Sequence, residues 1–518
     1  MRLTLLALLA LAGCPEPADE HPFRVADPVA GATFDRCNIR VRTTSPVLDA
    51  SWVQDDGLDA LQHINWRIDG GRETEARLMS DNVAPGDRAN TIFGVQLVDG
   101  AQTLEVGTCD EFDACAWTPV PVTVHNAIGA PDCRAYHGGQ QMLEPSAGWF
   151  STELSGGKLV LLSSVAGGVG MSLVTADGQV DKTFGANGVT SIPWLAGVAA
   201  PHPDGGYLLF GQGLYLSRVS ATGVYDSTWG NAGGTQGVRT IPCPGSLGCL
   251  VGALRSDGAD GFWMAGMLPV AQGSTQTNAF IMRLDRDLAI TAHTVFDVLL
   301  TTDEYGWRSF SIDPTGRVLA VARSFAVAGS LAGVDTSFAT DGRADYPDTS
   351  TVVGALAGDQ AVIVRQAYAG NEQVVDVRVF SSGVARPPIK LPAATDPVLD
   401  LRYLATAIDP TGSAYVAFAR ERAAEPGQFF DGIGTELVVA RFVDGALDPA
   451  FGVQGYVAMT GRDLFERVSS ESVTNNPTSI MFGPDQAPWV TSITQSSTDA
   501  WDPNVKRPPR LTLAKLRL

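Results

Sequence analysis

One eight-residue pattern, Asp-x-x-aromatic-x-x-x-Gly, recurs four times from residue 181 onward. The copies are Asp181/Phe184/Gly188, Asp226/Trp229/Gly233, Asp335/Phe338/Gly342 and Asp448/Phe451/Gly455. Three carry a second glycine directly after the aromatic, at Gly185, Gly230 and Gly452. The second and third gaps between copies are each more than twice the first, so they conceal degenerate copies of a unit of roughly fifty-five residues. A repeat of that period decides the architecture before any single residue does.

A second mark gives the count. Seven times, a turn rich in Asp, Gly and Pro precedes an apolar run: SGGKLVLLSS, PDGGYLLFG, DGADGFWMAG, DPTGRVLAVAR, AGDQAVIV, DPTGSAYVAFAR and GPDQAPWVTS. Pro presets its own φ, Asp accepts backbone hydrogen bonds and Gly takes the positive φ. A second apolar run follows each time, the fourth being hard to place around 324–330. Short β-rich runs joined by glycine turns at regular spacing predict an all-β array. Units of this length with three or four strands predict propeller blades, seven of them between about 144 and 518. Within each unit the Asp is expected to hold backbone amides and the aromatic to fill the wedge between neighbouring blades. The final Gly is expected in a conformation that other residues avoid.

DGQVDKTFGANGV, DGALDPAFGVQGYV and, more loosely, ATGVYDSTWGNAG resemble the delta-60 repeat of large secreted bacterial proteins. That pattern runs arginine-leucine, Asp-Gly, Leu-Asp, then Phe-Gly and a further Gly. The likeness spans about 145–518. Ala339 stands where the first Gly belongs, and RDLAITAHTVF and SSGVARPPIKL lack the Asp-x-x-Phe core. The resemblance implies a propeller-like surface protein and no particular reaction.

The N-terminus starts with Met1-Arg2 and an apolar run, 3–11, too short to span a bilayer as a mature helix. Leu11-Ala12-Gly13-Cys14 matches the bacterial lipoprotein box. The match implies a signal peptide over 1–13, acylation of Cys14 as the mature N-terminus, and a tether over 14–21. Several chains on one residue anchor better than one. Pro15 follows Cys14, which favours the outer membrane. The expected partner on that side is the membrane itself, through the lipid. A net charge of −20 repels nucleic acid and anionic lipid surfaces.

Six cysteines remain beyond Cys14: Cys37, Cys109, Cys115, Cys133, Cys243 and Cys249. Without Cys-x-x-Cys or paired His, disulfides are expected over zinc. Cys109/Cys115 and Cys243/Cys249 are spaced to close local loops. Elimination then pairs Cys37 with Cys133, with a Cys37–Cys109 bridge across a sandwich as the alternative. Residues 22–128 read as a separate β-sandwich of about seven short strands. LVDGAQTLEVGTCDEFDAC…VPVTV resembles the last hairpin of bacterial immunoglobulin-like domains, which implies a spacer or adhesive module. The propeller then takes 129–518.

The sequence shows no His-Glu-x-x-His, no Gly-x-Ser-x-Gly elbow and no phosphate-binding Gly loop. No cofactor or metal is expected, and His202, beside a turn, reads as a surface residue. Two functions remain: an envelope-anchored binding or scaffold protein for a glycan or protein, and an exported propeller enzyme of lactonase, lyase or quinoprotein type. The connections between the two apolar runs are enlarged in units three, six and seven, at about 268–278, 421–434 and 493–509. They are expected on one rim, bringing Phe429, Phe430, Asp431, Trp501 and Asp502 together as a candidate ligand face. Exposed aromatics beside carboxylates suit sugar stacking or protein contact. Finally, no Asp-x-x-Phe segment follows the last strand, LTLAKLRL. Residues 130–145 are therefore expected to pair with that strand and close the ring.

Overall fold

In the computed structural model, the described residues are 24–34, 38–44, 63–71, 73–75, 90–98, 100–109, 115–125, 128–129, 132, 140–143, 150–155, 158–165, 168–175, 178–194, 196–211, 215–240, 243–245, 247–272, 274, 276–298, 309–347, 349, 351–369, 372–394, 404–421, 435–459, 473–483, 485–496 and 510–517. Every regular element among them is a β-strand. The chain divides into two compact units, Met1–Asn126 and Ala127–Leu518.

The first unit holds two sheets. One pairs Arg24–Asp27, Asn38–Thr44 and Asn90–Gln96; the other orders Ala32–Phe34, Cys115–Val124, Gly100–Cys109, His63–Ile68 and Thr74–Glu75. Each has one buried face, set by alternation: Ile39 and Val41 in the first, Leu104, Val106, Val120, Val122 and Val124 in the second. On the other face of the second sheet, the Arg67 guanidinium lies 4.0 Å over the Trp117 ring and pairs with Glu105 at 2.9 Å.

Among the described residues, the second unit shows seven successive sheets of four to six strands, antiparallel but for one parallel bridge, Asn231 to Val238. The seven turn-led apolar runs form the second strand of each: Lys158–Val165, Tyr207–Gly211, Gly261–Pro269, Val318–Val321, Gln360–Ala369, Ala414–Glu421 and Pro488–Ser496. The third strand that was hard to place is Phe325–Ser330. The sequence reading did not place the first strands. They run Phe150–Ser155, Ala196–Pro201, Leu250–Ser256, Ser309–Ile312, Val352–Ala357, Leu404–Ile408 and Val473–Phe482. Each touches the first strand of the next sheet, and the seventh touches the first, which closes a ring.

The core follows the same cycle. One apolar cluster joins sheets one and two through Leu162, Met171, Leu209 and Val219. Others join each following pair, and the last joins sheet seven to sheet one through Met481, Trp489, Leu159 and Leu161. Each middle strand is therefore buried on both faces, which is why these runs read as continuous apolar stretches without alternation. The arrangement is propeller-like.

The seam lies in the seventh sheet. Gln140–Leu143 pairs antiparallel with Arg510–Lys515, as expected for 130–145. A second splice was not foreseen. The Gly129 N–H donates to Arg517 O and the Asp132 N–H to Lys515 O, both at 2.8 Å. Asp181, Asp226 and Asp448 make the same bond to the third strand of their own sheets, and each stands three residues after a positive-φ glycine, as Asp132 stands after Gly129. Gly129 and Asp132 thus make, with the third strand of the seventh sheet, the bonds that the turn glycine and Asp make in other sheets.

Candidate functional site

The repeated Asp carboxylates act on the backbone, as the sequence suggests. Asp181 Oδ1 accepts from the Thr183 N–H (3.0 Å) and hydroxyl (2.5 Å). Asp226 does the same with Thr228, Asp335 with Ser337, and Asp448 takes the Ala450 N–H. Phe184, Phe338 and Phe451 are fully enclosed between their own sheet and the next. Phe184 meets Tyr207 edge-on, and Phe451 meets Tyr415 in the same way. Trp229 departs from this and is only partly buried, with Arg239 4.5 Å over its ring.

The final glycines of three copies have φ near 90°: Gly188, Gly342 and Gly455. In the second copy the equivalent is Gly237, not Gly233. A small hairpin of Asn231–Ala232 with Thr235–Gln236 is inserted, and Gly237 is the residue packed against Asp226 O, where a Cβ would come within 2.6 Å. Ala339 keeps the positive φ of the Gly it replaces, 51° against 57° at Gly185 and 59° at Gly452.

A cation braces most units. In sheets two, three, six and seven it lies on the third strand, at Arg218, Arg283, Arg441 and Lys515, all at one register position. Sheets one and four have Leu173 and Ala328 there, and the cation moves to the head of the second strand as Lys158 or Arg317. Arg283 pairs with Asp257 at 2.7 Å, Arg317 with Asp335 at 2.6 Å, Lys158 with Asp181 at 2.5 Å and Lys515 with Asp485 at 2.8 Å. Bonds from Lys158 and Thr183 hold the Asp181 carboxyl down at about 2. For Asp335 the bonds from Ser337 and Arg317 outweigh burial and lower it as well.

His202 corrects the sequence reading. It is buried, at the place where the turns of sheets three, four and six carry Asp257, Asp313 and Asp409. Its Nδ1 accepts the Asp204 N–H at 3.2 Å and its ring lies 5.7 Å from Phe262. Burial, followed by the nearby Arg218 charge, pushes its pKa down, so it caps a turn as a neutral ring.

The two ends of the ring differ. At one end the tight turns of neighbouring sheets bond to each other: Gly185 N–H to Thr222 O, Ala339 N–H to Gly383 O, and Arg286 to Asp204. The opposite end therefore carries the connections between second and third strands and between successive sheets. The second strands Gly261–Pro269, Ala414–Glu421 and Pro488–Ser496 end there, and the third strands Thr277–Asp285, Thr435–Val443 and Arg510–Lys515 begin there. The Cys243–Cys249 disulfide closes its expected loop at this end, with Cα atoms 5.7 Å apart. Exposed Leu247 lies within this loop and exposed Leu250 directly follows it. The strands flanking 270–276, 422–434 and 497–509 are described, but Phe429, Phe430, Asp431, Trp501 and Asp502 lie outside the described residues.

Cys14, Cys37 and Cys133 are also outside them. Cys115 is disulfide-bonded, and Cys109 is its register partner on the neighbouring strand. Among the described residues no group of three His, Cys, Asp or Glu is placed to hold a metal ion.

No family model matches the chain, and no curated protein matches it. Solved structures share its general build at low scores. A protein of unknown function from Bacteroides caccae is 11% identical with TM-score 0.31, over 63% of this chain and 95% of that one. The β-propeller domain of the Trilobed protease from Pyrococcus furiosus is 9% identical with TM-score 0.31, over 68% and 82%. A protein from Lactobacillus plantarum is 12% identical with TM-score 0.31, over 77% and 98%. At such scores these likenesses carry no functional weight, and the reading below stands on the chain's own residues.

Proposed function

We propose that this chain is an exported lipoprotein, held to the bacterial outer membrane by acyl chains on Cys14, whose ring presents a binding surface to a glycan or protein of the cell envelope. In this reading Ala127–Leu518 is a seven-bladed β-propeller of delta-60-type repeats. The first unit is an immunoglobulin-like sandwich that spaces the propeller from the membrane, and Cys109 bonds to Cys115. The observation that carries the binding role is the asymmetry of the ring. One end is held by turns that hydrogen-bond from sheet to sheet, and at the other the second strands end and the third strands begin. Loops displayed on a rigid scaffold are where recognition residues concentrate. Leu11-Ala12-Gly13-Cys14 supports the anchor.

Two measurements test the reading. Replacing Cys14 with Ser should release the protein from membranes and abolish palmitate labelling; continued labelling rules out the anchor. A glycan and envelope-protein binding screen should give a ligand for the wild type that a Phe430→Ala/Trp501→Ala double variant holds at least about tenfold less tightly. Equal binding by both moves the site away from the loops 422–434 and 497–509.

A further inference from the structure

Between the fifth and sixth sheets the shared core is apolar along most of its length, with Val364, Val375 and Val377 facing Val416, Phe418 and Val438. Strand alternation carries the same face onward to Gln366 and Tyr368, and to Gln373 on the adjoining strand. On the sixth sheet it carries that face to Arg420 and its register partner Glu436. Tyr368 and Gln373 are register partners beside the hairpin at 370–371, and Gln366 lies on the diagonal, within reach of a long side chain.

The polar atoms there are not matched. Gln366 and Gln373 are only 6% and 2% exposed, yet among the described residues Gln366 Oε1 and both amide atoms of Gln373 have no hydrogen-bond partner. Folded proteins seldom bury such atoms unpaired, and those that do usually hold something there. Beside them Tyr368, next to last in its strand, is 61% exposed. Arg420 and Glu436 neutralise each other, Nε donating to Oε1 at 2.5 Å.

We propose that this slot between the fifth and sixth sheets binds a neutral carbohydrate; the proposal rests on the reading of the ring as a binding module and narrows it to one site and one ligand class. Two amides at diagonal register positions offer donors and acceptors to sugar hydroxyls. An exposed phenol ring offers an apolar face to the C–H side of a pyranose. The Arg420–Glu436 pair leaves the slot without net charge, which disfavours an acidic sugar or a phosphate. A protein partner would need a far wider contact than one end of a single sheet interface provides.

The test uses the full chain on an array of neutral oligosaccharides, followed by calorimetry with the tightest binder. Tyr368→Ala and Gln373→Leu should each weaken that binding about tenfold or more. Gln373→Leu should also melt at the wild-type temperature or higher, because it replaces unmatched polar atoms with apolar ones. That second readout separates a ligand-facing glutamine from a structural one, whose loss would lower the melting temperature. Three outcomes overturn the proposal. The wild type may retain no neutral oligosaccharide while it captures peptides from a display library. Binding may survive both substitutions and fall only in Phe430→Ala/Trp501→Ala, in which case the broader binding role stands and this site does not. Gln373→Leu may unfold the ring at lower temperature with sugar affinity unchanged.

Discussion

At the scale of single residues, the repeat is a set of backbone obligations. Ala339 sits at φ 51°, where glycine is the unstrained choice. Ala339→Gly is therefore expected to raise stability by about 0.5–1 kcal/mol in urea unfolding, net of the entropy that glycine loses. The reverse change at Gly452, where a Cβ would stand 2.3 Å from Tyr456 O, is expected to cost about 1–3 kcal/mol. Acid should expose the braces. Asp181 titrates at about 2 in the folded chain, against about 4 when unfolded. A carboxyl lowered in this way stabilises the fold above its unfolded value, and the contribution fades as pH falls from about 4 toward 2. Acid melting should show that loss, and Lys158→Met should remove much of it from the first sheet.

At the scale of elements, the seam is the weak point and the informative one. A Cβ at Gly129 would lie 2.7 Å from the Phe451 ring, and the Gly452 N–H donates to Ile128 O. Gly129→Val should force that aromatic out of its wedge and lower stability by about 3 kcal/mol or more. Deleting 511–518 should unfold the whole ring in one transition, read by thermal melting with two probes; local fraying alone would show that closure is dispensable. The second and third strands were legible because they pair a turn signal with an unbroken apolar run. The first strands were not. AGVAAP and SFSI carry neither signal, since small residues suffice where seven strands crowd around an axis. The Gly129–Asp132 splice escaped notice because its aromatic position is Ala135, although Asp132 and Gly139 keep the spacing of the pattern. The four-residue hairpin after Trp229 hid Gly237 in the same way, by displacing it from its period.

At the scale of the whole molecule, the signals for the repeated strands and for the pairing of the ring's ends are local, and the sequence carries them. A ligand slot made by two sheets is not local. Gln366 and Gln373 look like interruptions in apolar strands, and only the pairing of Arg420 with Glu436 on the facing sheet gives them a common wall. His202 was misjudged for the same reason, because its enclosure comes from Phe262 of the next sheet. The seam has one more consequence, and it concerns time. Ile128–Asp132 and Gln140–Leu143 leave the ribosome long before their partners at 510–517 exist. For nearly the whole of synthesis the early strand waits with an open edge. A chain cut short before its last strand never becomes a ring, so a finished ring certifies that synthesis has passed residue 517.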